Sequence, residues 1–230
     1  MKLAYDLHIH TAASPCGDEW MTPNNIVNMS LLKGFDVIAI TDHQTVANCE
    51  SVMKVGKQKG LYVIPGIEIE CMEEFHLIAL FKTLENAKAM ERWLSYYMPP
   101  LKNRIDVFGH QTVLDETDKP VREIEAMLLV AARISASHII RAARKLGAVV
   151  YPAHIDRDSY SIISNLGSIP EEYAFNMIEI SKAAAIDWYK KDYKNYTIIQ
   201  SSDAHYLEDI AEREHLMEKE EFERIGIHMN

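Results

Sequence analysis

Leu3-Ala-Tyr-Asp-Leu-His8-Ile-His10 lies near the N-terminus of the 230-residue chain. Its loose alternation of apolar and polar residues is that of a short strand. Two positions apart on a strand, His8 and His10 share one face. Two imidazoles on one face, close to a strand end, can chelate a single metal ion. Alone, so short a motif fits equally well a half-buried strand carrying two hydrogen-bonded histidines. The remainder of the chain decides between these readings, because it repeats the pattern.

Seven short apolar runs read as strands: Leu3–Ile9, Asp36–Ile40, Leu61–Pro65, His76–Phe81, Ala148–Tyr151, Asn176–Ile180 and Thr197–Gln200. Helix-like segments separate most of them. Thr22-Pro23 is a cap followed by a helix-starting proline, and the helix it opens runs through Ile26, Met29 and Leu32 to Gly34. Further helices are expected at about Val46–Lys59, Leu84–Tyr97, Val121–Ile134, Ser137–Leu146, Ser181–Lys191 and Met217–Arg224. Alternation of this kind implies a largely parallel sheet, and seven to eight units suggest an α/β barrel. Between Ile67-Glu68-Ile69 and His76 there is no room for a crossover helix, which needs a dozen or more residues. A hairpin is expected there, returning His76 beside Glu68. The chain reads as one domain over 1–230, with an insertion at about 99–137 that could cap a site.

Composition is ordinary for a globular chain, at 48% hydrophobic and 25% charged residues. A formal net charge of -10 does not suit non-specific nucleic-acid binding. It is compatible with hard cations, around which acidic residues collect. Cys16, Cys49 and Cys71 are odd in number and widely spaced, as free thiols in a reducing compartment are. No signal peptide and no membrane-length apolar run are evident, so a cytoplasmic location is expected.

Metal-type side chains stand just after the apolar runs: Asp42-His43, Glu68, His154, and Asp203-Ala-His205. The strand C-termini of a barrel converge on one mouth, where active sites are built. His8, His10, His43, Glu68, His154, Asp203 and His205 should therefore face one cleft. They outnumber the three protein ligands of a typical catalytic zinc site. Two or three divalent ions sharing a carboxylate would use them, and a mixed His and carboxylate shell suits Zn²⁺, Mn²⁺ or Fe.

The sequence resembles the PHP (polymerase and histidinol phosphatase) superfamily of metal-dependent phosphoesterases. The resemblance rests on Asp6-Leu-His8-Ile-His10-Thr, Ala39-Ile-Thr-Asp-His43, Pro65-Gly-Ile-Glu68, His76-Leu-Ile, Pro152-Ala-His154 and Ser201-Ser-Asp203-Ala-His205, and covers nearly the whole chain. It implies a distorted seven-stranded (β/α) barrel with a trinuclear metal site. By motif, His8, His10, Glu68 and Asp203 would hold one metal. His43 and His205, with a residue of the first loop, would hold a second. Glu68 would bridge to a third, held with His76 and His154. The first loop departs from the family's Ser-Asp-Gly, reading Ser14-Pro-Cys-Gly-Asp18-Glu-Trp-Met-Thr22-Pro23. Counted back from Thr22-Pro23, Asp18 takes the acidic position; counted forward from His10, Cys16 competes for it. A thiolate would make that metal softer than its neighbours, so Asp18 is the expected ligand. Ala153-His154-Ile155 stands where the family has His-Pro.

The implied reaction is hydrolysis of a phosphate ester by a metal-bridging water of lowered pKa. Arg157, just past His154, and Lys182, just past Ile178-Glu-Ile180, are candidate phosphate cations, each set against an ordinary surface charge. The leading substrate is a small phosphorylated molecule, with no membrane partner. Ranked below it are a 3′-exonuclease or proofreading nuclease and a metal-binding regulatory protein without turnover. Of the other histidines, His110 is an outside candidate for the site, His138 reads as a helix residue, and His215 and His228 read as solvent-exposed.

Overall fold

Strands and helices alternate from the first residues onward in the computed structural model, which describes residues 1–227. β1 (Lys2–Ile9) leads through α1 (Pro23–Leu32) to β2 (Val37–Ile40), and α2 (Cys49–Lys59) leads to β3 (Tyr62–Glu70). β4 (His76–Leu80) returns directly, followed by α3 (Leu84–Ser95), the one-turn α4 (Ile105–Phe108) and the short pair β5 (Thr112–Leu114) and β6 (Pro120–Glu123). α5 (Ala136–Lys145), β7 (Val149–Pro152), α6 (Ile162–Leu166), β8 (Met177–Ser181), α7 (Ile186–Asp192) and β9 (Thr197–Ser201) come next. β10 (Leu216–Glu218) and α8 (Lys219–Arg224) end the series. At the first helix, the Thr22 hydroxyl accepts the Asn25 N–H and Pro23 fills the first helical turn, as the sequence predicts.

The main sheet has the order β10-β1-β2-β3-β4-β7. β1, β2 and β3 run parallel, while β4 is antiparallel to both β3 and β7. The parallel pair β8-β9 closes the ring through two loose seams. At one, Ile155 N–H donates to the Glu179 carbonyl (2.9 Å); at the other, His10 N–H donates to the Ala204 carbonyl (3.0 Å). The result is the distorted seven-stranded α/β barrel expected from the strand count. β3 extends past Pro65 to Glu70 because it changes partners there: Pro65 lies opposite Ile40, and Gly66 opposite Leu80. The hairpin forms as expected, with Glu70 opposite His76.

The helix expected at Val121–Ile134 does not form. Its backbone is claimed by the preceding segment: Ile124 N–H bonds the Gln111 carbonyl, Met127 N–H bonds that of Leu101, and Gln111 Nε2 donates to the carbonyls of Ile124 and Ala126. Tertiary hydrogen bonds override helix propensity there.

Strand parity divides the interior. Leu3, Tyr5, Leu7, Val37, Ala39, Ile64, Ile78, Tyr151, Met177 and Ile199 form one cluster inside the ring, plugged from below by Phe222 of α8. Their neighbours Ile38, Ile40, Val63, Ile67, Ala79, Val150 and Ile178 face outward beneath the helices. α2 packs on β3 closely enough that a Cβ on Gly56 would fall 2.5 Å from Val63 Cγ2 and 2.9 Å from the Leu61 carbonyl oxygen. In an open helix, Gly→Ala stabilises by about 0.4–1 kcal/mol. Here the sign should reverse: Gly56→Ala is expected to destabilise by about 1–3 kcal/mol through overpacking. A lower urea midpoint with unchanged m-value would show it; a raised midpoint would mean the helix and strand have room to spare.

Candidate metal centre

The inward parity continues above the apolar floor, and there it turns polar. Thr41 and His43 extend β2, Glu68 lies in β3, His76 begins β4, and Glu179 lies in β8. His8 has the opposite parity to Leu3, Tyr5 and Leu7. It comes inward because the β1–β2 register shifts between Asp6 and Ile9. His154 is likewise out of phase with Tyr151 and Ala153, and turns inward through a left-handed backbone (φ 26°). Asp203 (φ 52°) and His205 follow β9.

Glu68 stands at the centre and is fully buried. Its Oε1 lies 2.8 Å from His76 Nδ1 and 3.3 Å from both His8 Nε2 and His154 Nε2. Its Oε2 lies 2.8 Å from His43 Nδ1 and 3.3 Å from His10 Nε2. Asp203 Oδ1 lies 3.0 Å from His10 Nε2 and 3.2 Å from His8 Nε2. Three groups of potential ligands emerge, each with its donor atoms within 4.8 Å of one another: His8, His10, Glu68 and Asp203; His10, His43 and His205; His43, Glu68 and His76. His154 joins through Glu68.

Hydrogen bonds behind the ligands fix which ring nitrogens face inward. His8 Nδ1 bonds Glu179 Oε1 at 2.8 Å. Ser14 Oγ donates to Asp42 (2.7 Å) and accepts from His10 Nδ1 (3.0 Å). His205 Nδ1 donates to the Asp203 carbonyl (2.9 Å). The Nε2 lone pairs of His8 and His10 therefore point at each other (3.1 Å) and at carboxylate oxygens. Two imidazole nitrogens this close, both facing carboxylates, need a shared positive charge between them, which protons or a bound cation can supply. His154 Nδ1 and Glu179 Oε2 are also buried without a hydrogen-bond partner. A donor set of imidazoles and carboxylates with orphaned buried atoms fits divalent ions.

Protons respond to the same field. Burial resists charge on His10, yet hydrogen bonds to Asp203 and Glu68 raise its pKa to about 9. Burial also opposes charge on His43, and Glu68 raises it to about 9. Burial likewise opposes charge on Glu68 and Asp203, but the surrounding imidazoles hold both well below the usual carboxylate range. Burial, with His10 beside it, pushes His205 down to about 3.

Other expected residues fall differently. Asp18 is absent from the three groups: its carboxylate accepts the Trp20 N–H (2.9 Å), locked into its own turn. Cys16 likewise joins none of the three groups. Arg157 reaches the mouth, with its guanidinium 2.6 Å from Asp203 Oδ2. Lys182 does not; its ammonium is held by Asp209 (2.7 Å) outside the cavity. His110 is exposed beside Glu123, His138 lies on α5, His215 is half-buried rather than exposed, and His228 lies outside the described residues. Glu179, Asp42 and Ser14 were missed as supports. The one signal for Glu179 is a carboxylate between Ile178 and Ile180 within an otherwise apolar strand.

A family model described as the PHP domain matches residues 6–214. An uncharacterized protein of Methanocaldococcus jannaschii is 38% identical over 84 residues, 33% of this chain and 48% of that one. A 5′-3′ exoribonuclease of Haemophilus influenzae is 32% identical over 83 residues, 35% of this chain and 29% of that one. The matched stretch thus spans less than half of either curated relative. Among solved structures, a lesion-specific endonuclease from Pyrococcus furiosus shares the fold at TM-score 0.66 and 20% identity, covering 90% of this chain and 49% of that one. A Bifidobacterium adolescentis protein, provisionally described as a metal-dependent phosphoesterase, superposes at TM-score 0.65 and 18% identity, covering 96% and 94%.

The lone-pair argument carries a pH consequence. With pKa values raised to about 9, His10 and His43 hold protons at pH 7 in the metal-free protein and must lose them to bind an ion. His8, whose burial opposes charge, is raised well above an ordinary histidine by Glu179, Asp203 and Glu68, and must do the same. Metal loading at pH 7 should therefore release about three protons per chain, and affinity should climb roughly tenfold per proton per pH unit until about pH 9. Calorimetry in buffers of different ionisation enthalpy reads the proton count directly. Loading without proton release would remove the argument.

Proposed function

The chain belongs to the PHP domain family, and from that premise we propose that it is a metal-dependent hydrolase of phosphate esters. The observation that carries the reading is the set of Nε2 lone pairs and carboxylate oxygens of His8, His10, Glu68 and Asp203 turned toward one point. Those four would hold one ion. His43 and His205 would hold a second, and Glu68, with His76 and His154, would reach a third. Bound divalent ions supply Lewis-acid polarisation of phosphate oxygens and a water of lowered pKa. Arg157, 2.6 Å from Asp203 at the rim, is the cation that would bind the remaining phosphate charge. Ser14, Asp42 and Glu179 keep the ring nitrogens of His10 and His8 pointed inward.

The site opens into a cavity of about 370 Å³ whose single Lys or Arg is Arg157. That size and charge favour a small phosphate ester over a long strand. Nuclease action is the second reading, favoured by the exoribonuclease among the relatives. We read the chain as one barrel domain with residues 99–137 inserted. No helix among the described residues is long and apolar enough to cross a membrane. Unpaired Cys16, Cys49 and Cys71 fit a cytoplasmic setting.

Metal analysis tests the assignment first. The wild type should hold two or three ions per chain and hydrolyse phosphomonoesters or diesters with Mn²⁺ or Zn²⁺. Glu68→Ala should lose most bound metal together with turnover. One ion or none, without hydrolysis of any ester, would favour a regulatory protein. Arg157→Ala should keep its metal and lower kcat/KM by about 10²–10³-fold, the range for losing one charge-stabilising donor. An unchanged rate would return Arg157 to the surface.

A further inference from the structure

The cavity has a second wall that the metal chemistry does not use. Phe108 and Leu129 line it from the 99–137 segment, and Tyr160 lines it from the loop after β7. Phe108 and Leu129 are only partly buried and join neither core cluster, so their apolar surface is turned to the cavity rather than spent on packing. Their position is built. Gly109, next to Phe108, has φ 91°, and a Cβ there would come 2.6 Å from the Pro15 carbonyl oxygen. Asn103 Nδ2 also donates to the Gly109 carbonyl (2.8 Å). Only glycine lets this turn sit against the first metal loop, and that contact sets Phe108 at the mouth.

Tyr160 is half exposed, yet it holds a left-handed backbone (φ 54°) that is strained in a non-glycine residue. Its carbonyl accepts the His76 N–H (3.0 Å), and its ring stacks on the His76 imidazole (5.0 Å between centroids, 24° between planes). One ring face is thereby spoken for, and the ring still lines the cavity. Glu70, two residues past Glu68 on the same strand, lines the same cavity with a half-buried carboxylate that has no ion-pair partner among the described residues.

Aromatic faces select a flat ring, and an unpaired carboxylate selects neighbouring hydroxyls, as the acidic residue of dinucleotide sites selects a ribose diol. We propose that Phe108, Leu129, Tyr160 and Glu70 form a ribonucleoside subsite, with the base on the aromatic wall, the ribose hydroxyls on Glu70 and the phosphate at Arg157. The inference rests on the phosphoesterase reading for the phosphate end alone. With Arg157 the single Lys or Arg lining the cavity and a net charge of -10, the site has no basic track for a long backbone. It is fitted to one ribonucleotide unit, free or at the end of a strand.

The test pairs kinetics with binding on the metal-loaded chain. Substrates are adenosine monophosphate, its 2′-deoxy counterpart, glycerol phosphate, an aryl phosphate and a short 5′-phosphorylated oligoribonucleotide. Phe108→Ala should raise KM for the ribonucleotides between about five- and 150-fold, the span of base–aromatic stacking, and leave glycerol phosphate unchanged. Glu70→Gln should narrow the preference for ribose over deoxyribose at unchanged metal content. Preference for the mononucleotide would identify a free nucleotide, and preference for the oligomer a strand end; both support the subsite. Equal losses on glycerol phosphate, or a wild type that prefers glycerol or aryl phosphate, would overturn it. Calorimetric binding of a non-hydrolysable adenosine phosphonate keeps the two readings apart. If no ester is turned over, the phosphoesterase assignment fails, and the phosphonate's affinity for wild type against Phe108→Ala still decides the subsite.

Discussion

Five imidazole nitrogens crowd a single buried carboxylate, Glu68, and that crowding constrains the rest of the barrel. Burying a carboxylate is expensive unless positive charge comes with it. In the metal-free protein protons supply the charge, which is why His10 and His43 titrate far above an ordinary histidine while Glu68 stays ionised. Divalent ions would supply it more compactly. The cluster also does structural work. The β9–β1 seam has few backbone hydrogen bonds, those between Ala204 and both His8 and His10 among them. Asp203, pressed on both histidines, strengthens that seam. The site and the closure of the ring are therefore one set of contacts, as in proteins where metal affinity contributes directly to folding.

Below the cluster the interior is largely apolar. Tyr5, Tyr151, Ile78 and Phe222 fill the lower barrel, so the ligands rest on a low-dielectric floor and face solvent only at the mouth. Charges there interact more strongly than on a surface, which lets a few carboxylates dominate so many imidazoles. The same geometry leaves Arg157, paired with Asp203 at the wetter rim, as the cation that faces the mouth.

How much of this could be read from the sequence depends on whether the signal was local. All seven barrel strands were legible, because apolar runs of strand length alternated with capped helices. The return of His76 to Glu68 was legible too, since chain length alone forbids a crossover. Residues 121–134 were not. Their apolar spacing is helical, but their backbone groups bond the 101–111 segment, and nothing local announces that. Asp18 was favoured over Cys16 on metal chemistry, but neither joins a ligand group, and the Asp18 carboxylate accepts from its own turn. Lys182 follows a barrel strand as Arg157 does, yet a neighbouring acid, Asp209, captures it. Sequence position placed both cations near the mouth; only local partners decided which one remained there.

Glu179 best shows what a linear reading leaves out. Two ligands, His8 and His154, have the wrong strand parity for the barrel interior. One is brought in by a register shift and the other by a left-handed residue, and both irregularities would relax if left alone. The Glu179 Oε1 atom holds both, accepting from His8 Nδ1 at 2.8 Å and from the His154 backbone N–H at 3.2 Å. Its strand adds a third tie, the Ile155 N–H to the Glu179 carbonyl, at the seam between β7 and β8. A single residue thus sets a tautomer and stabilises a strained turn through its carboxylate, and supports a seam through its backbone carbonyl. None of its partners lies within 20 residues of it in sequence, so its role follows from the folded arrangement and not from any motif around it.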